Sequence, residues 1–381
     1  LIAAQTGETQ AARHPEQAIA ADDEGPGEPV VDDLEPAFGP YQLGSKPATT
    51  QYDQTYANLL LTLGGSTAPQ RATADLDDIR DDLAELGRSG GAAVPWGWYQ
   101  EGFARAGSDP DYSSHHNAPQ FFGYVRNSPA LWSGEHDLGE LLPAIRDGKL
   151  GERGVVFVKG GTHTPFGWKP ANPDPEVQAH FLGDDDHPGY SDSQLSEALV
   201  ATVVNAVARS RYWDDSAIIV TYDDSEGFYD HVPPPVQGTC PDGRPCGDGP
   251  RVPFILISPY ARSHAIVSEV DDHASFAKFL DLLFGLEPLA SLPDERPYLP
   301  AGPRDTSAAI GDLSAGFDPE RLAGTRAPIP AQAALISDAI VDTFPPTMSC
   351  ASLGITPVAV PGELSAPPPG FAPRTVARST R

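Results

Sequence analysis

The sequence lacks several features that would assign it to a class at once. It contains three cysteines, has no run of 18 or more apolar residues, and sets 25 Lys plus Arg against 53 Asp plus Glu. No transmembrane helix is predicted, since crossing a bilayer takes about 20 mostly apolar residues. The net charge of −28 repels polyanions, so nucleic acid is not an expected partner. An anionic substrate is still compatible with this charge, because a bound cation can invert the local field.

The few cysteines still carry information about location. Cys240 and Cys246 flank a turn that contains Pro and Gly, whereas Cys350 lies in a tail rich in Pro, Ala and Ser. A zinc site would need two further ligands close to the pair, and the neighbouring sequence offers none. We therefore predict a local disulfide between Cys240 and Cys246. That bond predicts an oxidising setting, either secreted or in the periplasm and cell envelope.

Apolar periodicity predicts strands that alternate with helices. Residues 154–158 and 216–222 are β-branched or apolar runs typical of buried strands, and 252–258 is a third. The second run is apolar on both faces, which predicts a central parallel strand. Apolar residues four apart predict a helix over 193–210, and another amphipathic helix ends at Gly285. This alternation predicts an α/β fold with a mostly parallel sheet.

The strongest chemical signal follows the strand at 216–222. Asp223 and Asp224 come directly after it, at the strand end where open α/β sheets bind ligands. Adjacent carboxylates there can face a metal and a neighbouring ligand. A solvated acidic loop after a strand is the alternative interpretation. Two loops that carry histidines, 112–117 and 184–189, are candidates to join the site, although a surface histidine without a role is common.

The whole stretch from Thr221 to Pro235, with its Tyr-Asp-Asp start and its Asp-His-Val-Pro-Pro-Pro end, resembles the signature of a bacterial phosphoesterase family. That family contains phospholipases C and acid phosphatases and belongs to the alkaline phosphatase superfamily. Most of its members carry Glu rather than Asp at the position of Asp224, and the acid phosphatase branch is more similar. Supporting matches lie at residues 96–99, 115–122, 186–189, 251–260 and 272–275.

The resemblance implies a fold and a set of roles. The fold would be alkaline-phosphatase-like, with a mostly parallel central sheet, helices on both faces and long loop excursions. Asp223 matches a metal ligand, Asp224 the adjacent acidic residue of the active site, and His116 and His187 match histidines that contact the phosphoryl group. His115 is the alternative to His116 if the register of the pair differs. His231 and His273 lie in family motifs and can be structural.

The same resemblance implies a cofactor and a substrate. The cofactor would be a divalent metal ion, with Mg, Ca or Mn suited to carboxylates and Zn to added histidine. The substrate would be a phosphate-ester small molecule or a phospholipid head group. A lipid substrate calls for an apolar surface patch or an added domain, and neither is evident. This favours phosphomonoesters or soluble diesters, and the sequence makes no prediction about oligomeric state.

Two family features have no counterpart in the sequence. Members begin with a strand that ends in a Glu-Asn stretch of metal ligands, and they use a Ser or Thr nucleophile before a Pro. No Glu-Asn-His-Ser-Phe-Asp stretch occurs here. Residues 1–9 resemble the segment that follows the start of the nucleophile-bearing helix, so the resemblance places the nucleophile before Leu1, and Thr6 is the one local hydroxyl that could be mistaken for it. We therefore expect residues 1–320 to form an incomplete phosphoesterase domain, inactive alone, and residues 321–381 a partly irregular extension. The rival expectations are a non-catalytic metal- or phosphate-binding fragment or pseudoenzyme, and an acidic calcium-binding module, for which no Asp repeat is present.

Overall fold

A three-stranded parallel sheet organises the part of the chain that the structure describes. The computed structural model describes residues 2–5, 19–20, 31–32, 50–51, 54–72, 77–103, 112, 116–225, 228, 230–239, 245–299 and 302–337. Its strands are β1 Ile19–Ala20, β2 Val31–Asp32, β3 Thr50–Gln51, β4 Trp96–Gln100, β5 Glu135–Asp137, β6 Val155–Lys159, β7 Ile218–Thr221, β8 Val236–Thr239, β9 Pro245–Gly247 and β10 Phe254–Ile257. The central sheet has the order β5-β4-β6, with both pairings parallel.

Helices surround this sheet. They are α1 Leu59–Gly64, α2 Ala68–Arg71, α3 Arg80–Ser89, α4 Gly123–Arg126, α5 Pro129–Trp132, α6 Leu141–Arg146, α7 Pro175–His180, α8 Ser193–Ala208, α9 Ala274–Phe284 and α10 Pro319–Leu322. Among the described residues, none of these helices has the length and apolarity needed to cross a membrane. The α/β class predicted from the sequence is confirmed.

Strand β4 has a hydrophobic core on each face, because neighbouring side chains of a strand point to opposite sides. Trp98 belongs to the larger core, which also contains the buried leucines of α1 and the buried Ala277 of α9. Tyr99 belongs to the second core, with Leu141 of α6 and Leu199 of α8. The sheet is therefore covered on both sides at β4, and its strand ends are held in place from both sides.

Strand β7 differs from its prediction in direction and burial. It pairs antiparallel with β10, with Thr221 opposite Phe254 and Ile218 opposite Ile257. All four of its residues are half-buried rather than fully buried. The prediction of a central parallel strand was therefore wrong. An apolar run indicates that a strand is covered, but it does not indicate the direction of the neighbouring strand.

Helix boundaries follow local signals with one exception. Asp192 caps the start of α8 by accepting from the backbone N–H of Gln194, and α9 ends at Gly285 in the left-handed region. Helix α3, however, continues through Gly87, although glycine commonly ends helices, and it ends before Gly90. A Cβ at position 87 would lie 3.3 Å from a ring carbon of Pro69, so packing on α2 keeps this glycine helical.

Residues 321–337 contact the preceding part of the chain. The amide of Asn205 in α8 donates to the backbone oxygen of Ile336, and the indole of Trp213 donates to that of Ile329. One compact unit runs from Leu1 to Phe344, and Pro345–Arg381 lies outside the described residues.

The predicted disulfide is only partly covered by the structure. Strands β8 and β9 form an antiparallel hairpin in which Gly238 pairs with Cys246. Cys240 and Cys350 lie outside the described residues, so the disulfide stays a prediction.

Candidate active site

The carboxyl ends of β6 and β7 meet at one place. Lys159 is the last residue of β6, and Asp223 follows β7 by two residues. The ammonium Nζ of Lys159 lies 3.1 Å from Oδ2 of Asp223. This contact joins the central sheet to the β7–β10 pair at the strand ends.

Asp223 lies in a positive local field. Partial desolvation raises the pKa of its carboxyl, but the charge and hydrogen bond of Lys159 and a backbone hydrogen bond oppose this, and the pKa lies below its ordinary value. The imidazole of His116 acts in the same direction. About two thirds of the Asp223 side chain is exposed, so a solute can reach it. Asp224 is also exposed on this loop.

The second part of the site is the acidic loop 184–187, anchored by a buried carboxyl. Asp184 accepts a hydrogen bond from the backbone N–H of Gly161 at 3.1 Å, and its own N–H donates to the oxygen of Gly161 at 3.1 Å. Burial raises the pKa of Asp184 to about 7, although the Gly161 N–H opposes the shift. The acidic loop is thereby fixed against the segment that follows β6.

Asp185 connects both predicted histidines. Its Oδ2 lies 3.7 Å from Nδ1 of His116, and both side chains are buried. The hydroxyl of Tyr190 donates to the same Asp185 oxygen at 2.7 Å. The ring of Tyr190 in turn stacks on His187, with centroids 4.2 Å apart. Asp185 therefore lies at ion-pair distance from His116 and is linked to His187 through Tyr190.

Asp186 ties the acidic loop to the end of β7. Its backbone has φ 64°, a left-handed conformation that non-glycine residues rarely adopt, and such positions concentrate at functional sites. Its carboxylate accepts hydrogen bonds from the hydroxyls of Tyr222 and Ser193. The hydrogen bond to Asp186, reinforced by burial, raises the pKa of Tyr222 to about 12.

His273 supports the same segment from behind. Its Nε2 lies 2.8 Å from the backbone oxygen of Tyr222, which requires Nε2 to carry the proton. Burial lowers the pKa of His273, so the neutral ring is favoured. His273 therefore holds the residue before Asp223 in place, in agreement with a structural role.

His231 is solvent-exposed, and its structural neighbour is Asp230. The carboxylate of Asp230 accepts from Nε and from a terminal nitrogen of Arg251, each at 2.8 Å, and from the backbone N–H of Arg251. This two-point pair lowers the pKa of Asp230. It fastens the segment after Asp224 to the segment that leads into β10.

His116 is positioned by the residue that follows it. The side-chain amide of Asn117 donates to Oε2 of the buried Glu135 in β5 at 2.7 Å, and its oxygen caps the turn that starts at Ala118. Burial raises the pKa of Glu135 to about 8, although the Asn117 bond opposes it. The loop that carries His116 is thus attached to the central sheet.

The predicted residues are placed unequally. His116 and Asp223 come close enough to interact, His187 joins them through the acidic loop, and Asp224 lies exposed beside Asp223. His115 and Thr6 lie outside the described residues.

Within the described part of the chain, no three His, Cys, Asp or Glu side chains are grouped closely enough to hold a metal ion. Two carboxylates do not complete such a site, so no reaction step is assigned to a metal here.

Sequence reasoning missed three contributors. Lys159 is the first, and its position at the end of a predicted strand was the available signal. Asp184 and Asp185 are the others, because an acidic run does not reveal which carboxylates are buried.

A comparison with protein families matches the segment of the chain that carries the candidate site. The Phosphoesterase family matches residues 89–287, just over half of the chain. The matched segment contains β4 to β10 and almost all of the site residues described above.

Individual relatives match parts of the chain at modest sequence identity. The chain is 25% identical over 265 residues to a non-hemolytic phospholipase C of Burkholderia pseudomallei, a match that covers 61% of this chain and 33% of the relative. It is 34% identical over 125 residues to the non-specific phospholipase C1 of Arabidopsis thaliana, covering 28% and 23%. It is 30% identical over 151 residues to phospholipase C B of Mycobacterium tuberculosis, covering 35% and 27%. The chain thus spans about a third or less of the length of these relatives.

Proposed function

Because the chain belongs to the phosphoesterase family, we propose that the complete gene product hydrolyses phosphoric esters at the site around Asp223. One observation carries the proposal. The ends of β6 and β7 and the acidic loop 184–187 meet so that an ammonium, a carboxylate and an imidazole lie near one another. Phosphoryl transfer depends mainly on positioning and on compensation of charge, and these groups provide both.

The imidazole of His116 is the best-supported proton donor. Oδ2 of Asp185 lies 3.7 Å from one ring nitrogen, so a protonated ring has a counter-charge in place before the reaction. A donor at this position can protonate a leaving-group oxygen or bind a phosphoryl oxygen. His187 has less support for the same role, because its ring stacks on Tyr190 and its Nδ1 accepts from the backbone N–H of Gly189.

Dependence on a divalent cation is part of the proposal. Asp223 and Asp224 would supply two oxygen ligands, which suits Mg, Ca or Mn. The remaining ligands would have to come from outside the described residues. When bound, such a cation would polarise a phosphoryl oxygen.

For the substrate, we propose a phosphodiester, with a phospholipid head-group ester as the first choice to test. The support is that the relatives named above are phospholipases C. The competing choice is a water-soluble phosphomonoester, which the net charge of −28 favours because anionic membranes repel such a surface.

A substrate panel tests the proposal. The complete gene product is incubated with a chromogenic phosphomonoester, a chromogenic phosphodiester and phosphatidylcholine vesicles, each with added Mg, Ca, Mn or Zn and again with a chelator. We expect turnover of a diester that a chelator abolishes and a single metal restores. Turnover that survives the chelator would remove the metal from the proposal. The absence of turnover on every ester would leave a non-catalytic binding protein instead.

A further inference from the structure

Lys159 brings a positive charge into a strongly acidic site. Lys159 is the last residue of β6, and it lies beside Asp223 and the acidic loop 184–187. The backbone around it is fixed, since the N–H of Glu101 donates to the oxygen of Lys159 and Gly161 is bonded to Asp184. The Cα of Lys159 therefore has a defined position, and the ion pair with Asp223 directs the ammonium toward the end of β7.

A purely structural role explains this lysine poorly. The ion pair with Asp223 contributes little to stability, because two thirds of the Asp223 side chain is exposed and exposed pairs are worth at most about 1 kcal/mol. Lys278 shows what a structural lysine looks like here: its ammonium donates to the backbone oxygens of Ser307 and Ile310 at 2.7 and 2.8 Å. Among the described residues, the one polar contact of the Lys159 ammonium is Asp223.

The ammonium therefore has donors left for a ligand. It carries three N–H groups and accepts nothing. Asp223 occupies one of them, and about a fifth of the Lys159 side chain is exposed. Any phosphate ester that approaches Asp223, Asp224 and the acidic loop 184–187 brings further negative charge. A cation at this position offsets that repulsion through charge-assisted hydrogen bonds to phosphoryl oxygens.

We propose that Lys159 is a substrate-binding residue whose ammonium binds the non-bridging oxygens of a phosphoryl group, with Asp223 orienting it. The inference rests on the proposed function, since it assigns one more residue to the same site. The chemistry recognised is the phosphoryl oxyanion, which both an ester substrate and free phosphate carry.

The variants Lys159→Met and Lys159→Arg test the proposal, and Lys149→Met is the matched control. Lys149 is an exposed lysine beside Asp147, and its substitution changes the net charge equally.

Two readouts separate binding from folding. Inorganic phosphate is titrated into each variant by calorimetry, and KM and kcat are measured on the ester that the wild type hydrolyses fastest. We expect Lys159→Met to weaken phosphate binding and to raise KM by about tenfold or more. Lys159→Arg keeps the charge and should recover most of both, and Lys149→Met should match the wild type. Circular dichroism confirms that each variant is folded.

The outcomes are distinguishable from failure of the proposed function. If the wild type binds phosphate but hydrolyses no ester, the proposed function fails, and the lysine is judged on phosphate affinity alone. A Lys159→Met variant that keeps the wild-type phosphate affinity and KM, even with a lower Tm, overturns the inference and makes the ion pair structural. A wild type that binds no phosphate at millimolar concentration overturns it as well.

Discussion

Asp82 shows at the scale of one residue how burial can set the charge of a side chain. It is fully buried in α3, and one of its oxygens accepts from the backbone N–H of Asp294 at 2.7 Å. Burial raises its pKa to about 8, with the Asp294 N–H opposing and the charges of Glu295 and Asp294 adding to the shift. The folded state therefore holds a proton that the unfolded state releases near pH 4.

The raised pKa of Asp82 determines how the stability of the folded protein changes with pH. Between pH 4 and 8 the folded state binds more protons, so the contribution of Asp82 to stability falls as pH rises, by at most about 1.4 kcal/mol per pH unit. Asp82→Asn removes the titrating group and keeps an acceptor for Asp294. We expect the variant to gain stability relative to the wild type from pH 5 to 8, as measured by urea unfolding. Asp81→Asn, at an exposed neighbour, is the control. Parallel curves for wild type and Asp82→Asn would contradict the account.

Residue types indicated part of the site and could not indicate the rest. Asp223 and His116 were predictable because their motifs resemble a known family. Lys159 was not, since its importance depends on a contact with a residue 64 positions away. The difference between the buried Asp184 and the exposed Asp224 was equally hidden, because both stand in acidic runs.

At the scale of elements, strands and helices were largely predictable and their pairing was not. Helix α8 was predicted at 193–210 and found at Ser193–Ala208, and β6 was predicted at 154–158 and found at Val155–Lys159. Both predictions rest on periodicity and on β-branched residues, which act locally. The antiparallel pairing of β7 with β10 depends on the path of the chain between them, which local pattern does not encode.

The turn after β6 gives a prediction at this scale. A Cβ at Gly160 would lie 2.6 Å from Oδ1 and 2.7 Å from the backbone oxygen of Asp184, closer than real contacts allow. Gly160→Ala must therefore displace the acidic loop 184–187, and we expect a loss of stability of about 1–3 kcal/mol. Thermal unfolding measures it. Gly91→Ala is the control, because nothing lies within 4 Å of a Cβ there. An equal Tm for the two variants would show that the loop is not tightly anchored.

At the scale of the whole molecule, function depends on contacts between segments far apart in sequence. Tyr222 reaches Asp186 across 36 residues, and His273 reaches Tyr222 across 51. The sequence showed the motifs in these segments, and the resemblance suggested that the segments form one site. Their meeting follows from the central sheet and its two covering cores, which no single motif contains.

The central claim is that phosphoric esters are hydrolysed at Asp223, and one measurement tests it most directly. The values of kcat/KM for the preferred ester are compared between the wild type, Asp223→Asn and Asp147→Asn in the complete gene product. Asp147 is a surface carboxylate paired with Arg146, and its substitution changes the charge equally. We predict that Asp223→Asn lowers kcat/KM by about 100-fold or more while Asp147→Asn stays within about twofold. A folded Asp223→Asn protein with wild-type kcat/KM would contradict the account.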